Sequence, residues 1–101
     1  MARRTYPISL TINQRDIHSV IIDEHYEEKH SDTTNDELIL NLVSQLDQKY
    51  FEPIDIKEPY SFFVLDQLEY QSKYYKLIWL LERDEMYIGV INAYRRTKKG
   101  G

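Results

Sequence analysis

Hydrophobic and polar positions alternate first at Ile8, Leu10 and Ile12, separated by Ser9, Thr11 and Asn13, the period-two signature of a half-buried strand. Ile17 to Ile22 is a second β-branched run. Asn13-Gln14-Arg15-Asp16 between the two supplies turn residues, so the chain opens with a β-hairpin. Asp23 is placed to cap a short helix over Glu24 to His30, with three glutamates near its positive N-terminal end. Thr34-Asn35-Asp36-Glu37 has the capping-box pattern with Thr34 as N-cap. Leu38, Ile39, Leu42, Val43 and Leu46 then recur at helical spacing, predicting an amphipathic helix over about 35–48. Pro53 and Pro59 bracket an irregular or edge segment, since proline cannot donate to a sheet ladder. Tyr60 to Tyr70 reads as a strand with a break at Asp66-Gln67. Tyr74 to Leu81 and Met86 to Tyr94 are apolar on both faces over most of their length, as central strands are. The short polar link Arg83-Asp84-Glu85 pairs them antiparallel. The predicted order is β-β-α-α-β-β-β, an α+β domain with a mostly antiparallel sheet and helices on one face.

Length and composition narrow the class. The 101 residues fit one domain, with flexible ends at about 1–4 and 97–101. At 42% hydrophobic and 30% charged the chain is globular rather than disordered. The absence of cysteine excludes disulfides and thiolate metal ligands and suits a reducing cytoplasm. No apolar run approaches the roughly 20 residues that span a bilayer, and residues 1–12 carry no signal-peptide pattern. A net charge of −4 conceals an asymmetry. Residues 1–72 hold 6 basic and 14 acidic side chains, whereas residues 73–101 hold 7 and 3. A basic end on an acidic body suits an anionic partner that touches that end; a solvated tail has the same composition.

Two clusters carry residue types suited to chemistry. His25 and Lys29 lie four apart on one helical face, with His30 on the neighbouring face. Lys29 there would hold a phosphate, and His25 or His30, titrating near neutrality, would move a proton. Zinc is disfavoured, because histidines five apart do not converge on a helix and no HExxH is present. The second cluster closes the last strand. Alternation puts Asn92, Tyr94 and Arg96 on one face, with Ala93 and Arg95 on the other. A guanidinium binds phosphate bidentately, and a tyrosine stacks on a base. A plain exposed helix and a strand emerging into solvent have the same patterns. Nine tyrosines, Tyr70, Tyr74, Tyr75 and Tyr87 among them, are interleaved with Lys73, Lys76 and Arg83; they suit either a stacking surface for single-stranded nucleic acid or ordinary sheet packing. No GxSxG, Gly-rich phosphate loop, cysteine nucleophile or glycosidase carboxylate pair occurs. The terminal Gly100-Gly101 also matches the tail of a ubiquitin-like modifier.

Taken together, Lys29-His30 followed by the acidic-apolar helix from Asp36, and the final Val90-Ile91-Asn92-Ala93-Tyr94-Arg95-Arg96-Thr97 with Lys98 and Lys99 behind it, resemble the BrnT branch of the RelE/ParE-like bacterial toxins, over residues 24–99. Asn92 stands where that branch has serine, Tyr94 where it has arginine, and Ser31 where glycine follows the Lys-His pair. The resemblance implies a RelE-like fold and a cytoplasmic ribonuclease that needs no metal or other cofactor and is held inactive by a cognate antitoxin. Lys29, His30, Arg95 and Tyr94 would be its catalytic residues, and His25, Asn92, Arg96 and Lys98 would contact RNA. A homodimer and a hetero-oligomer are both compatible with it. Two rival readings remain open: a non-catalytic protein-interaction domain, and the ubiquitin-like modifier.

Overall fold

A computed structural model describes residues 3–23 and 34–96. Six strands form one sheet: β1 (Arg3–Ile12), β2 (Arg15–Asp23), β3 (Asp55–Lys57), β4 (Tyr60–Tyr70), β5 (Lys73–Glu82) and β6 (Tyr87–Arg96), in the order β1-β2-β6-β5-β4-β3. Neighbours run antiparallel except β2 and β6, which are parallel from Ser19–Tyr87 to Ile22–Val90. One helix, α1 (Asp36–Ser44), is present among the described residues.

This corrects the expected α+β architecture with two helices on one face. The described residues form a mostly-strand, mixed six-stranded sheet crossed by one nine-residue helix. The first predicted helix, Glu24 to His30, lies outside the described residues. Asp55–Lys57, expected to be irregular or edge, is a short edge strand next to β4.

Local chemistry explains the turns. Asn13 and Gln14 both take positive φ (53° and 62°), as do Gln71 and Ser72 (52° and 67°). Two left-handed residues in succession make the two-residue turn whose twist matches a hairpin, so β1–β2 and β4–β5 close tightly. The break at Asp66-Gln67 is a β-bulge, with Gln67 at φ 61° and the register shifting between Leu65 and Leu68.

The helix begins one residue later than the capping box predicts. Asn35, not Thr34, is the N-cap: its side chain accepts from the Leu38 N–H at 2.8 Å. Ile39, Leu42, Val43 and Leu46 are fully buried and lie over Ile12, Val20, Ile22, Leu77, Trp79 and Ile88 from the sheet. Trp79 stacks on Phe63 at 5.2 Å and meets the edge of Phe51 at 5.3 Å. After Ser44 the chain tightens through three-residue bonds, Gln45 N–H to Leu42 O and Leu46 N–H to Val43 O, and turns back along β1. There Asp47 accepts from the Thr11 N–H at 2.8 Å and Gln48 donates to the Thr11 carbonyl at 2.7 Å, shielding that edge of the sheet. No described helix is long and apolar enough to cross a membrane.

Candidate functional site

The parallel β2–β6 pair organises one end of the molecule. Its last rung is Ile22–Val90, and β2 stops at Asp23. β6 runs six residues further in the same direction, to Arg96, an overhang of about 20 Å. The chain is met again at Thr34, which is buried, and α1 starts at Asp36. Asp36 accepts from the Arg4 guanidinium at both oxygens, one bond 2.9 Å long, and from the Tyr6 hydroxyl. Arg4 and Tyr6 pair with Ile22 and Val20 on β2, so α1 starts at the end of the sheet where β2 finishes. The Asp36 carboxylate raises the Tyr6 pKa, chiefly because the phenol donates to it. No sequence pattern marks this tie, since its partners lie 30 and 32 residues apart.

The closing strand behaves as alternation predicts. Across β5, Asn92 stands opposite Ile78, Tyr94 opposite Lys76 and Arg96 opposite Tyr74, all on the sheet face away from α1. Arg95 is exposed on the α1 side, opposite Tyr75. The four residues therefore do not form one cluster. On the open face, Arg96 is drawn 3.4 Å from Asp66, and Lys76 lies 6.0 Å from the centroid of the Tyr94 ring. The Asn92 side chain accepts from the Ala93 N–H at 2.9 Å. Arg95 projects from the overhang on the side from which α1 begins. His25, Lys29, His30 and Lys98 lie outside the described residues.

The tyrosines divide between the two faces. Tyr75 is buried beneath α1, while Tyr74, Tyr87 and Tyr94 belong to the open face. That face holds a cleft of about 320 Å³ lined by Arg3, Ile21, Tyr60, Phe62, Leu80 and Tyr87. Gly89 forms part of its wall, where a Cβ would come 3.0 Å from Leu80 Cδ1. The Tyr87 hydroxyl donates to Glu82 at 2.6 Å; burial, and then this bond, push its pKa well above the usual tyrosine range. Among the described residues no group of three or more His, Asp or Glu side chains is arranged to hold a metal ion.

Comparison of the chain with family models, with curated proteins and with solved structures gives no match.

Proposed function

We propose that this protein is a toxin-like endoribonuclease of a bacterial toxin–antitoxin system, acting in the cytoplasm and restrained by a cognate antitoxin. One observation supports this reading above the rest. The parallel β2–β6 pairing ends at Ile22–Val90, so the segment bearing His25, Lys29 and His30 departs beside the β6 overhang that carries Arg95. Lys29 is six residues beyond Asp23, a contour of about 20 Å, comparable with the overhang itself. That contour is long enough for a cation of this segment to meet Arg95 at one phosphate, which is the arrangement the proposal requires.

The chemistry assigned to these groups needs no metal. A base, His30, takes the proton of a ribose 2′-hydroxyl, which attacks the adjacent phosphorus. The P–O5′ bond breaks, the leaving oxygen is protonated, and a 2′,3′-cyclic phosphate remains. Lys29 and Arg95 would offset the charge that grows on the phosphoryl oxygens. Tyr94, Asn92 and Arg96 project from the other side of the same strand, so we assign them no part in the proton transfers.

Incubating the purified chain with structured and unstructured RNA in the presence of EDTA tests the proposal, alongside growth of cells expressing it. Cleavage with cyclic-phosphate ends, together with growth arrest, is expected. Intact RNA and normal growth would favour the second reading, a non-catalytic protein-interaction domain. One observation speaks for that alternative: Arg96 and Asp66 neutralise each other on the open face, leaving less positive charge for a phosphate backbone.

A further inference from the structure

The open face has a symmetry of its own. On β5 the side chains facing away from α1 are Tyr74, Lys76, Ile78, Leu80 and Glu82, the last four centred on Trp79; on β4 Tyr60, Phe62, Val64 and Asp66 are centred in the same way on Phe63, with Glu69 beyond them beside Tyr74. Phe63, Trp79 and Val90 occupy one rung across β4, β5 and β6, and their buried side chains point the other way, towards α1. About this rung the β5 row reads basic–apolar–apolar–acidic. Reversing the strand therefore exchanges the charges and leaves the apolar pair in place.

We infer that this face is the interface of a homodimer, in which two copies pack sheet on sheet about a two-fold axis that crosses the strands at the Trp79 rung. The axis sets Lys76 of one copy against Glu82 of the other, and Ile78 against Leu80. Phe62 meets Val64, and the Tyr60 hydroxyl is brought towards Asp66. Each contact occurs twice, as an isologous interface requires. Aligned packing of two twisted sheets provides the geometry.

Three observations select a second copy as the occupant. Ile21, Phe62, Val64, Ile78, Leu80 and Ile91 are only half-buried, and no described element covers them. Lys76 makes a ring contact with Tyr94 and Glu82 accepts from Tyr87, yet neither has an oppositely charged partner among the described residues of its own chain. Each supplies what the other lacks across the two-fold. The area also suffices. The five long strands, β1, β2, β4, β5 and β6, about 4.8 Å apart and about 30 Å long, present on the order of 700 Å², close to the roughly 800 Å² per partner of a stable interface. An RNA strand is a poorer occupant, because Arg96 is engaged by Asp66 and Arg3 stands opposite Asp23.

Sedimentation equilibrium of the full chain across a wide concentration range tests this, with circular dichroism confirming that each variant is folded. The wild type is expected to reach dimer. Lys76→Glu and Glu82→Lys should each weaken association about tenfold or more by setting like charges face to face. The double variant carrying both swaps should recover most of that loss. Leu80→Asp should leave a folded monomer. A wild type that stays monomeric at the highest attainable concentration would overturn the inference, as would a double swap no stronger than the weaker single variant. RNA cleavage is measured separately and does not enter this test.

Discussion

Replacing Asp36 by alanine probes how the helix is held to the sheet. A nine-residue helix is too short to persist alone in water, so α1 depends on its buried stripe and its tethers. Asp36 accepts from Arg4 and Tyr6, which come from the strand paired with β2, and it lies in the first helical turn. Hydrogen bonds to a charged group contribute about 1.5–3 kcal/mol net. An acidic residue in the first turn adds about 0.3–1 kcal/mol. The Arg4 side chain is 33% exposed and that of Asp36 18%, so solvent screening pulls the ion-pair share towards its lower bound. The expected loss for Asp36→Ala is about 2 kcal/mol. Urea unfolding followed by the fluorescence of Trp79, the single tryptophan, measures it directly. Arg4→Ala and the double variant complete a cycle whose coupling should be about 1 kcal/mol. A loss below about 0.5 kcal/mol with no coupling would show that the tie is incidental and that packing alone docks the helix.

Two further outcomes follow from the sheet. Gly89→Val places a Cβ 3.0 Å from Leu80 Cδ1 and 3.1 Å from its Cγ, so Leu80 must give by a few tenths of an ångström, and the variant should cost about 1 kcal/mol or more in the same unfolding assay; an unchanged midpoint would contradict the close packing described. Tyr87 and Tyr6 both have raised folded-state pKa values, so their contribution is complete below the unfolded value near 10 and is lost as pH rises beyond it. Stability measured from pH 8 to 11 should therefore fall along an alkaline limb, and Tyr87→Phe should flatten it; an equally steep limb in the variant would remove Tyr87 as its cause.

Much of the local structure could be read from the residues, and the assembly could not. Alternation located β1, β2, β4, β5 and β6, the bulge at Asp66-Gln67, and the opposite projections of Arg95 and Arg96. The apolar stripe from Ile39 to Leu46 located the helix, although two good capping residues in succession, Thr34 and Asn35, left its start ambiguous by one position. The insertion of β2 beside β6 was hidden. Both strands are apolar on both faces, so either could pair with several neighbours, and only the long-range register decides. The same limit concealed the Arg4–Asp36–Tyr6 tie. The capping and periodicity patterns led to an α+β architecture with two helices on one face, whereas the described residues form a mostly-strand mixed sheet with one short helix.

The proposed ribonuclease reading assigns Arg95, on the α1 side of β6, rather than Arg96, on the open face, to act with Lys29 and His30. Single-turnover cleavage of one defined RNA by the wild type and by Lys29→Ala, His30→Ala, Arg95→Ala and Arg96→Ala tests that claim most directly. The first three variants should slow cleavage by about 100-fold or more, and Arg96→Ala by far less. Equal rates in all five proteins, or a loss confined to Arg96→Ala, would contradict it.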